Sequence, residues 1–249
     1  MEETIKPADT KEPEITREKI LILQDKNFNS NNVCVVTGAG TGIGRATAIA
    51  AAVNKLMTVG LDINEEEGNK TQKMARELGG QMIFIKTELT RDEDIENAIQ
   101  EAAKIGTIKY LANIAGIQHI DSVDNFPMEK YDLMQRLMLR APFYLSKLAI
   151  GHMKKSSDGL GVIGNMASVH AHICTKNKPV YNITKFGLKA LSQSISAEGE
   201  GKIRSFTLST GFVKTPLALN QIDAQAEQRG ITAEEVVRDV MMGTCLLYT

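Results

Sequence analysis

The sequence predicts a single doubly wound α/β domain, with a central parallel sheet and helices on both of its faces. Short apolar runs of strand length alternate with longer stretches of helical character from Val33 to Leu208. A length of 249 residues and a hydrophobic fraction of 43% are enough for one sizeable core. Because right-handed crossovers join successive parallel strands, the intervening helices are expected to cover both faces of the sheet.

The individual elements follow from this alternation. Six strands are predicted at Val33–Val36, Met57–Leu61, Met82–Ile85, Tyr110–Asn113, Gly161–Asn165 and Ile203–Leu208. Helices are predicted from the glycine-rich residues 38–44 to about Asn54, over 65–79 and 92–105, from Met128 to Lys154, and from Tyr181 to Ser196. Residues 1–32 are polar and charged, and we expect a flexible arm with one short helix near the apolar cluster Ile20–Leu23, either poorly ordered or used in subunit contacts. The folded domain is expected over residues 33–249.

Composition excludes several classes of function. The chain has 29 basic and 30 acidic residues, which gives no electrostatic basis for binding nucleic acid or an anionic membrane. Cys34, Cys174 and Cys245 form no CxxC pair and suit a reducing compartment as structural thiols. The N-terminus has no basic stretch followed by an apolar run, and the longest apolar runs have strand length. We therefore expect a cytoplasmic protein without a membrane partner, and no metal site is predicted.

A glycine-rich turn follows the first predicted strand and opens the first helix. In Thr37–Gly44, TGAGTGIG, glycines permit a tight turn and a close backbone approach to a pyrophosphate. The N-terminus of the following helix offers free N–H groups and the positive end of its dipole to the phosphates. The predicted contacts are Gly38, Thr41, Gly42, Ile43 and Gly44. Such a turn is a weak signal in isolation, and a mobile loop is the alternative.

Asp62 strengthens the interpretation of this turn as a dinucleotide site. It stands at the end of the second predicted strand, 24 residues after Gly38, where a carboxylate can accept both ribose hydroxyls of an adenosine. A carboxylate repels a 2′-phosphate, and no Arg or Lys occurs at Thr41 or directly after Asp62 to neutralise one. The sequence therefore favours NAD over NADP, with a solvated Asp at a strand end as the alternative.

Tyr181 and Lys185 are spaced i and i+4, so on a helix they share one face. A nearby ammonium stabilises a phenolate and is expected to lower the pKa of Tyr181, which would let it exchange a proton with an alcohol during hydride transfer. Ser168 lies 13 residues before Tyr181, just after the fifth predicted strand. Its hydroxyl can bond the reacting oxygen at the end of the sheet where ligands of this fold class bind. An exposed Tyr–Lys pair without function is the alternative for the YxxxK motif taken singly.

In combination these residues resemble the short-chain dehydrogenase/reductase family, over about Val33 to Met242. The motifs are TGAGTGIG, Asp62, Asn113-Ile114-Ala115-Gly116 and the set Ser168, Tyr181 and Lys185. The resemblance implies a Rossmann-type fold in which Thr37 and Asn113 brace the turn and the fourth strand. It also implies further cofactor contacts at Leu89, Asn113, Ala115, Gly116, Tyr181, Lys185, Val213 and Thr215.

The sequence is most similar to one branch of this family, the bacterial-type D-3-hydroxybutyrate dehydrogenases. Gly116-Ile117-Gln118-His119, Ala167–Ala171 and Asn220–Ala224 carry this similarity. In that branch two Gln, a His and a Lys hold the substrate carboxylate, which implies Gln118, His170, Lys178 and Gln221 here. A small hydroxy acid has little apolar area, so charge-assisted hydrogen bonds must supply its affinity. The implied protein is a homo-oligomer, a tetramer or dimer, that oxidises a short 3-hydroxy acid reversibly with NAD.

Three departures from the family pattern leave alternatives open. Met138 aligns with an Asn that helps relay protons, and methionine cannot make the hydrogen bonds of an amide. Thr210-Gly211 replaces a Pro-Gly pair, and the sequence given stops at Thr249, before an expected helix and last strand. The same machinery could therefore act on another small alcohol or ketone. A third hypothesis is an NAD(H)-binding protein without turnover.

Overall fold

A computed structural model describes residues 14–242, and they adopt the doubly wound α/β fold that the sequence predicts. Six parallel strands form one sheet in the order β3-β2-β1-β4-β5-β6. Their bounds are β1 Asn32–Thr37, β2 Met57–Asp62, β3 Gln81–Lys86, β4 Thr107–Asn113, β5 Gly161–Met166 and β6 Ile203–Leu208. The chain builds outwards from β1 to β3 and then returns to place β4 on the other side of β1. This reversal leaves a crevice at the carboxyl ends of β1 and β4, where ligands of open α/β sheets bind.

Helices cover both faces of the sheet. They are α1 Gly42–Val53, α2 Glu65–Glu77, α3 Asp92–Ile105, α4 Met128–Gln135, α5 Ala141–Lys155 and α6 Pro179–Glu198. The side chains of β1 alternate between the two cores: Val33 and Val35 join one buried cluster, and Cys34 and Val36 join the other. Because every second residue faces the opposite side, one apolar strand supports both helical layers.

The long helix predicted from Met128 to Lys154 is interrupted. A π-helical stretch, Arg136–Arg140, separates α4 from α5, and Pro142 stands in the first turn of α5. Proline has no backbone N–H, so it cannot give the carbonyl of Met138 its ordinary α-helical partner. The wider turn accommodates this missing hydrogen bond without ending the helix.

After β6 the chain forms a small helical cluster at the carboxyl end of the sheet. It consists of α7 Pro216–Leu219, α8 Ile222–Arg229, α9 Ala233–Glu235 and a π-helical stretch Val236–Met242. Ile222, Val236 and Met241 form its buried centre. A capping box between Thr232 and Glu235 begins α9.

The described part of the predicted arm, residues 14–31, lies against the domain. It has one short 3₁₀ helix, Arg17–Lys19, and Ile15, Ile20 and Phe28 pack on the cluster around α1. The Asn54 side chain accepts a hydrogen bond from the Leu23 amide (2.7 Å) and donates to the Leu21 carbonyl (3.0 Å). Residues 1–13 of the predicted arm lie outside the described residues, as do Cys245 and the other residues of 243–249. Of the helices between residues 14 and 242, none combines the length and apolar character needed to span a bilayer.

Candidate active site

The glycine turn forms one wall of the crevice between β1 and β4. Gly38 and Gly42 have φ values of +67° and +54°, in a region of backbone conformation that residues other than glycine rarely adopt. A Cβ atom on Gly38 would also lie 2.9 Å from Cα of Ala115, in the loop after β4. The twelve-residue helix α1 starts within the turn, and its N-cap residue Thr41 makes no side-chain cap hydrogen bond. The Thr41 side chain therefore does not take the place of an anion at the helix N-terminus.

The crevice has a volume of about 580 Å³. It brings together residues from the loops after β1, β2, β3, β4, β5 and β6. The predicted cofactor residues that line it are Gly38, Thr41, Gly42, Ile43, Gly44, Asp62, Leu89, Ala115, Gly116, Tyr181, Lys185 and Thr215.

Two predicted cofactor residues do not line the crevice, and for both a direct contact with the cofactor stays a prediction. Asn113 is buried inside the sheet, where its amide nitrogen donates to Oδ1 of Asn165 (2.8 Å). Asn165 in turn donates to the hydroxyl of Ser192 (2.8 Å), so this pair ties β4 and β5 to α6. Val213 lines a second, smaller cavity rather than the crevice.

Thr37 and Asn113 support the crevice from below, as the family resemblance implies for both. The Thr37 hydroxyl accepts hydrogen bonds from the amides of Ile114 (2.9 Å) and Ala115 (3.1 Å). These bonds hold the loop after β4 beside the glycine turn. A hydroxyl on the last residue of β1 thereby ties the end of β1 to the loop after β4.

Asp62 is fixed at the rim of the crevice by backbone amides. Its Oδ2 accepts from the amide of Gly40 (2.8 Å), and its Oδ1 accepts from the amide of Asn64 (2.9 Å). A Cβ on Gly40 would lie 2.9 Å from the Asp62 carboxyl carbon, so glycine is needed for this approach. The carboxylate keeps further lone pairs for hydroxyl donors.

Sequence reasoning missed a half-buried ion pair beneath the glycine turn, between Arg45 and Glu67. The guanidinium of Arg45 donates to the carbonyl of Gly40, to the carboxylate of Glu67 and to the hydroxyl of Thr71. The hydrogen bond from Arg45 lowers the pKa of Glu67. The pair joins α1, α2 and the turn, and no local pattern in the sequence connects these two positions.

Tyr181 and Lys185 share one face of α6, as their spacing predicts, and both line the crevice. The Lys185 ammonium lies 5.2 Å from the centre of the Tyr181 ring and donates to the carbonyl of Met166 (2.7 Å). Burial lowers the pKa of Lys185 to about 8.

The prediction that Lys185 lowers the pKa of Tyr181 does not hold in the protein by itself. Burial raises the pKa of Tyr181, and an interaction with the Ser168 hydroxyl lowers it by less. The ammonium of Lys185 donates a hydrogen bond to a backbone carbonyl, and the burial of Lys185 disfavours its charged form. The phenol is therefore held in its protonated form.

Ser168 starts a polar chain of side chains in the loop after β5, at the second, smaller cavity. It precedes a 3₁₀ turn, Val169–Ala171, and its hydroxyl lies 3.0 Å from Nδ1 of His170. Nε2 of His170 lies 2.8 Å from the hydroxyl of Thr175. Burial, followed by the charges of Lys178 and Lys185, lowers the pKa of His170 to about 4. The imidazole is therefore neutral near pH 7.

The smaller cavity, of about 100 Å³, contains every residue predicted to bind substrate. These are Gln118, Ser168, His170, Lys178, Tyr181 and Gln221. Residues from the loops after β4, β5 and β6 thus converge from distant parts of the sequence. The cavity shares Tyr181 with the crevice, so one phenol serves both spaces.

Lys178 is the charged group of this cavity. It is 5% exposed, and its ammonium lies 5.6 Å from the centre of the Phe212 ring. Within residues 14–242 no ion pair to a carboxylate is found for it, and Arg229 adds a second positive charge nearby. Burial, and then Arg229, lowers its pKa to about 8. At neutral pH the cavity therefore holds the buried ammonium of Lys178, and among the described residues no carboxylate balances its charge.

Met138 lies behind Tyr181 in an apolar cluster. It is fully buried and packs with Met134 and Val180, with Tyr181 at the edge of the group. A thioether on this side supplies no strong hydrogen-bond donor or acceptor. Thr210 stands where the resembling family has the proline of a Pro-Gly pair. Its backbone carbonyl accepts a hydrogen bond from the amide of Val169 (3.0 Å).

The remaining histidines are placed outside the two cavities. His119 packs edge-on against Phe126, and His172 is exposed beside Ser209. In the described part of the chain, His, Cys, Asp and Glu form no group of three or more that could hold a metal ion.

Comparison with known proteins adds to this geometry. The family model described as short chain dehydrogenase matches residues 32–226. A D-beta-hydroxybutyrate dehydrogenase of Rhizobium meliloti (strain 1021) is 31% identical over 84% of this chain and 81% of its own length. Another protein of that name, from Cupriavidus necator, is 26% identical over 86% of this chain and 83% of its own. A crystal structure of a short-chain type dehydrogenase/reductase from Mycobacterium marinum has the same fold, with a TM-score of 0.74 at 22% identity over 84% of this chain and 87% of that one.

Proposed function

This chain belongs to the short-chain dehydrogenase family, and on that premise we propose that it is an NAD-dependent oxidoreductase for a short 3-hydroxy acid. The reaction is the reversible conversion of the hydroxy acid to its 3-oxo acid. The observation that carries the proposal is the small cavity, in which Lys178, Gln118 and Gln221 face the same space as Ser168 and Tyr181.

The charge of this cavity supports an anionic substrate. Burying an ammonium without a partner is costly, and a substrate carboxylate supplies the missing counter-charge. The two Gln amides add N–H donors beside Lys178. About 100 Å³ suits a molecule of a few heavy atoms. The cavity therefore favours a small hydroxy acid over a bulky alcohol.

The crevice fits a dinucleotide on the evidence of its own residues. The glycine turn would hold the pyrophosphate, Asp62 the adenosine ribose, and Lys185 the ribose next to the nicotinamide. When bound, the nicotinamide accepts or returns the hydride. The Asp62 carboxylate would repel a 2′-phosphate, which supports NAD rather than NADP.

Tyr181 exchanges the proton of the reacting oxygen in this proposal, and Ser168 holds that oxygen with its hydroxyl. Because burial keeps Tyr181 protonated, it starts as the acid that the reduction direction requires. Oxidation requires the phenolate, so its rate should increase with pH. Lys178 and the two amides fix the carboxylate end, which leaves the hydroxyl end beside Tyr181.

A second candidate function is a dinucleotide-binding protein without turnover. Met138 favours it, because an apolar side chain occupies the position behind Tyr181 where the resembling family carries an amide. The short-chain dehydrogenase machinery acting on another small alcohol or ketone is a variant of the first proposal. The binding protein without turnover and the enzyme for another alcohol or ketone each predict a different assay result from the hydroxy-acid enzyme.

The test is a spectrophotometric assay of D-3-hydroxybutyrate and its methyl ester with NAD⁺ and NADP⁺. We expect reduced nicotinamide from the acid with NAD⁺, and little from the ester or with NADP⁺. Turnover of neutral alcohols in preference to the acid would exclude the hydroxy-acid proposal. Calorimetric binding of NADH with no turnover of any alcohol would support the second candidate.

A variant of Lys178 isolates the carboxylate anchor. Lys178→Met should raise KM for the acid and leave the ester unaffected, because only the acid uses the ammonium. Lys176→Met is the matched control, since Lys176 is an exposed lysine of the same loop. An unchanged KM for the acid in Lys178→Met would contradict the anchor.

A further inference from the structure

The backbone of Gly40, inside the glycine turn, is fixed by two charged side chains. Its amide donates to Oδ2 of Asp62 (2.8 Å), and its carbonyl accepts from the buried guanidinium of Arg45. Glycine has more backbone freedom than any other residue, so these two hydrogen bonds remove a freedom that Gly40 has no side chain to limit. The turn is thereby tied to the rim of the crevice on one side and to Arg45 on the other.

The direction of the Gly40 carbonyl also determines the direction of the next amide. The bond between Gly40 and Thr41 is trans, like the other peptide bonds of residues 14–242, and in a trans peptide the N–H points opposite to the C=O. The carbonyl points at Arg45, which does not line the crevice, so the amide of Thr41 is directed away from Arg45. Thr41 does line the crevice, and an N–H group directly before α1 can donate to a phosphate oxygen.

The guanidinium of Arg45 is itself held in one orientation. Besides the Gly40 carbonyl, it contacts the carboxylate of Glu67, and its Nε donates to the hydroxyl of Thr71 (3.0 Å). The side chain of Arg45 is 5% exposed and that of Glu67 is 29% exposed, so water screens this pair less than it screens a surface pair. Because a guanidinium is planar and its donors form a rigid fork, acceptors on α2 and in the turn together fix its position.

We propose that Arg45, held by Glu67 and Thr71, is a positioning residue for the dinucleotide, an inference that rests on the proposed function. By holding the Gly40 carbonyl, it directs the Thr41 amide to the pyrophosphate. It also keeps the Gly40 amide on the carboxylate that would hold the adenosine ribose. Arg45 lines neither cavity, so its effect falls on the binding of the adenosine diphosphate half of the cofactor and not on hydride transfer.

A second half-buried ion pair provides the matched control. Lys109 in β4 contacts Asp158, which precedes β5, and their side chains are 11% and 42% exposed. Both residues lie towards the amino ends of their strands, whereas the crevice lies at the carboxyl ends. Neither residue lines the crevice or the small cavity. Loss of this pair therefore measures the effect of a broken ion pair on the fold alone.

The first test is isothermal calorimetry with ADP-ribose, which carries the adenosine and the pyrophosphate but no nicotinamide. Arg45→Met keeps a long side chain without its donors and should raise the Kd of ADP-ribose by about tenfold, the effect of one or two lost hydrogen bonds. Lys109→Met should bind ADP-ribose like the wild type. Equal affinity in Arg45→Met and the wild type, or an equal loss in both variants, would overturn the positioning role.

The second test uses a variant that keeps the shape of the core. Thr71→Val removes one acceptor of Arg45 from a fully buried position and should raise the Kd of ADP-ribose by about threefold. Thr58→Val is its control, since Thr58 is equally buried on β2 and its hydroxyl lies 3.4 Å from the carbonyl of Leu56. Unchanged affinity in Thr71→Val overturns the positioning role even where Arg45→Met does not fold.

The third test separates positioning from a general loss of structure. In the assay with D-3-hydroxybutyrate, Arg45→Met should raise KM for NAD⁺ by about tenfold and lower kcat at saturating NAD⁺ by much less. A lowered kcat with an unchanged KM for NAD⁺ would assign the pair to the stability of the fold and overturn the positioning role.

ADP-ribose also distinguishes failure of the positioning role from failure of the proposed function. A wild type that binds ADP-ribose but turns over no hydroxy acid contradicts the proposed enzyme, and the affinity of Arg45→Met still decides the role of Arg45. A wild type that does not bind ADP-ribose overturns the dinucleotide site and the positioning role together.

Discussion

Tyr181 is the side chain on which the proposed chemistry depends. Among the described tyrosines, it is the one that lines both cavities. We expect Tyr181→Phe to lower kcat/KM by about 10²–10⁴-fold, the usual contribution of a positioned acid or base. NADH binding, measured by fluorescence titration, should remain. Tyr110→Phe is the control, since this tyrosine packs against Phe28 away from the site. Undiminished turnover in Tyr181→Phe contradicts the assignment.

Lys178 should make the preference for acids depend on pH. Its pKa is lowered to about 8, so the ammonium is present below pH 8 and lost above it. The ratio of kcat/KM for the acid to that for the methyl ester should therefore fall by about tenfold per pH unit well above pH 8. The ratio cancels the titration of Lys185, which affects both substrates. A ratio that stays flat to pH 10 would show that Lys178 does not hold the carboxylate.

Spacing in the sequence was sufficient for some residues of the site and not for others. The i, i+4 spacing of Tyr181 and Lys185 determines that they share a helix face, whatever the tertiary structure. The pKa of Tyr181 was predicted in the wrong direction, because burial depends on residues far away in the sequence. Asn113 shows the same limit: the sequence places it at the end of a strand, but it does not indicate that the side chain is directed inward to Asn165.

At the scale of elements, the strands were predictable because each is a short apolar run, and β1 and β2 inside the sheet have both faces buried. All six observed strands include the predicted ones, with ends that differ by up to three residues. The π-helical stretch at Arg136–Arg140 was missed, since the apolar pattern of a helix does not report which carbonyl lacks its partner. Pro142 was the available signal.

The glycine turn and α1 should act as one unit in dinucleotide binding. A Cβ on Gly44 would overlap the carbonyl oxygen of Gly38, so the turn would have to open. We expect Gly44→Ala to weaken NADH binding by about tenfold or more, which corresponds to strain of about 1–3 kcal/mol. Isothermal calorimetry measures the change.

Gly151→Ala is the matched control for this prediction. Gly151 lies in α5, and a Cβ there meets no neighbouring atom within 4 Å in the described chain. The variant should keep NADH affinity and gain up to about 1 kcal/mol of helix stability. Equal NADH affinity in the two variants would show that the turn does not set the binding site.

For the whole molecule, the topology was predictable and the assembly of the site was not. Right-handed crossovers and an alternating pattern restrict the sheet to few arrangements. The small cavity, however, joins Gln118, Lys178 and Gln221 from three separate loops. Only the family resemblance connected these positions before the structure did. The expected homo-oligomer, a tetramer or dimer, stays a prediction that light scattering would test.

The folded molecule should lose stability in mild acid because it holds His170 neutral. Burial lowers the pKa of this imidazole from 6.5 to about 4. Between these values the unfolded chain binds a proton that the folded protein refuses, so the free energy of unfolding falls as pH falls through the window. The effect is at most about 3 kcal/mol.

Urea titrations at several pH values measure this effect of His170. From pH 6.5 to 4, the free energy of unfolding of the wild type should fall by up to that amount more than that of His170→Asn. The difference for His172→Asn, which removes an exposed ring, should stay constant. A constant difference for His170→Asn as well would mean that the fold accepts a charged imidazole beside Lys178.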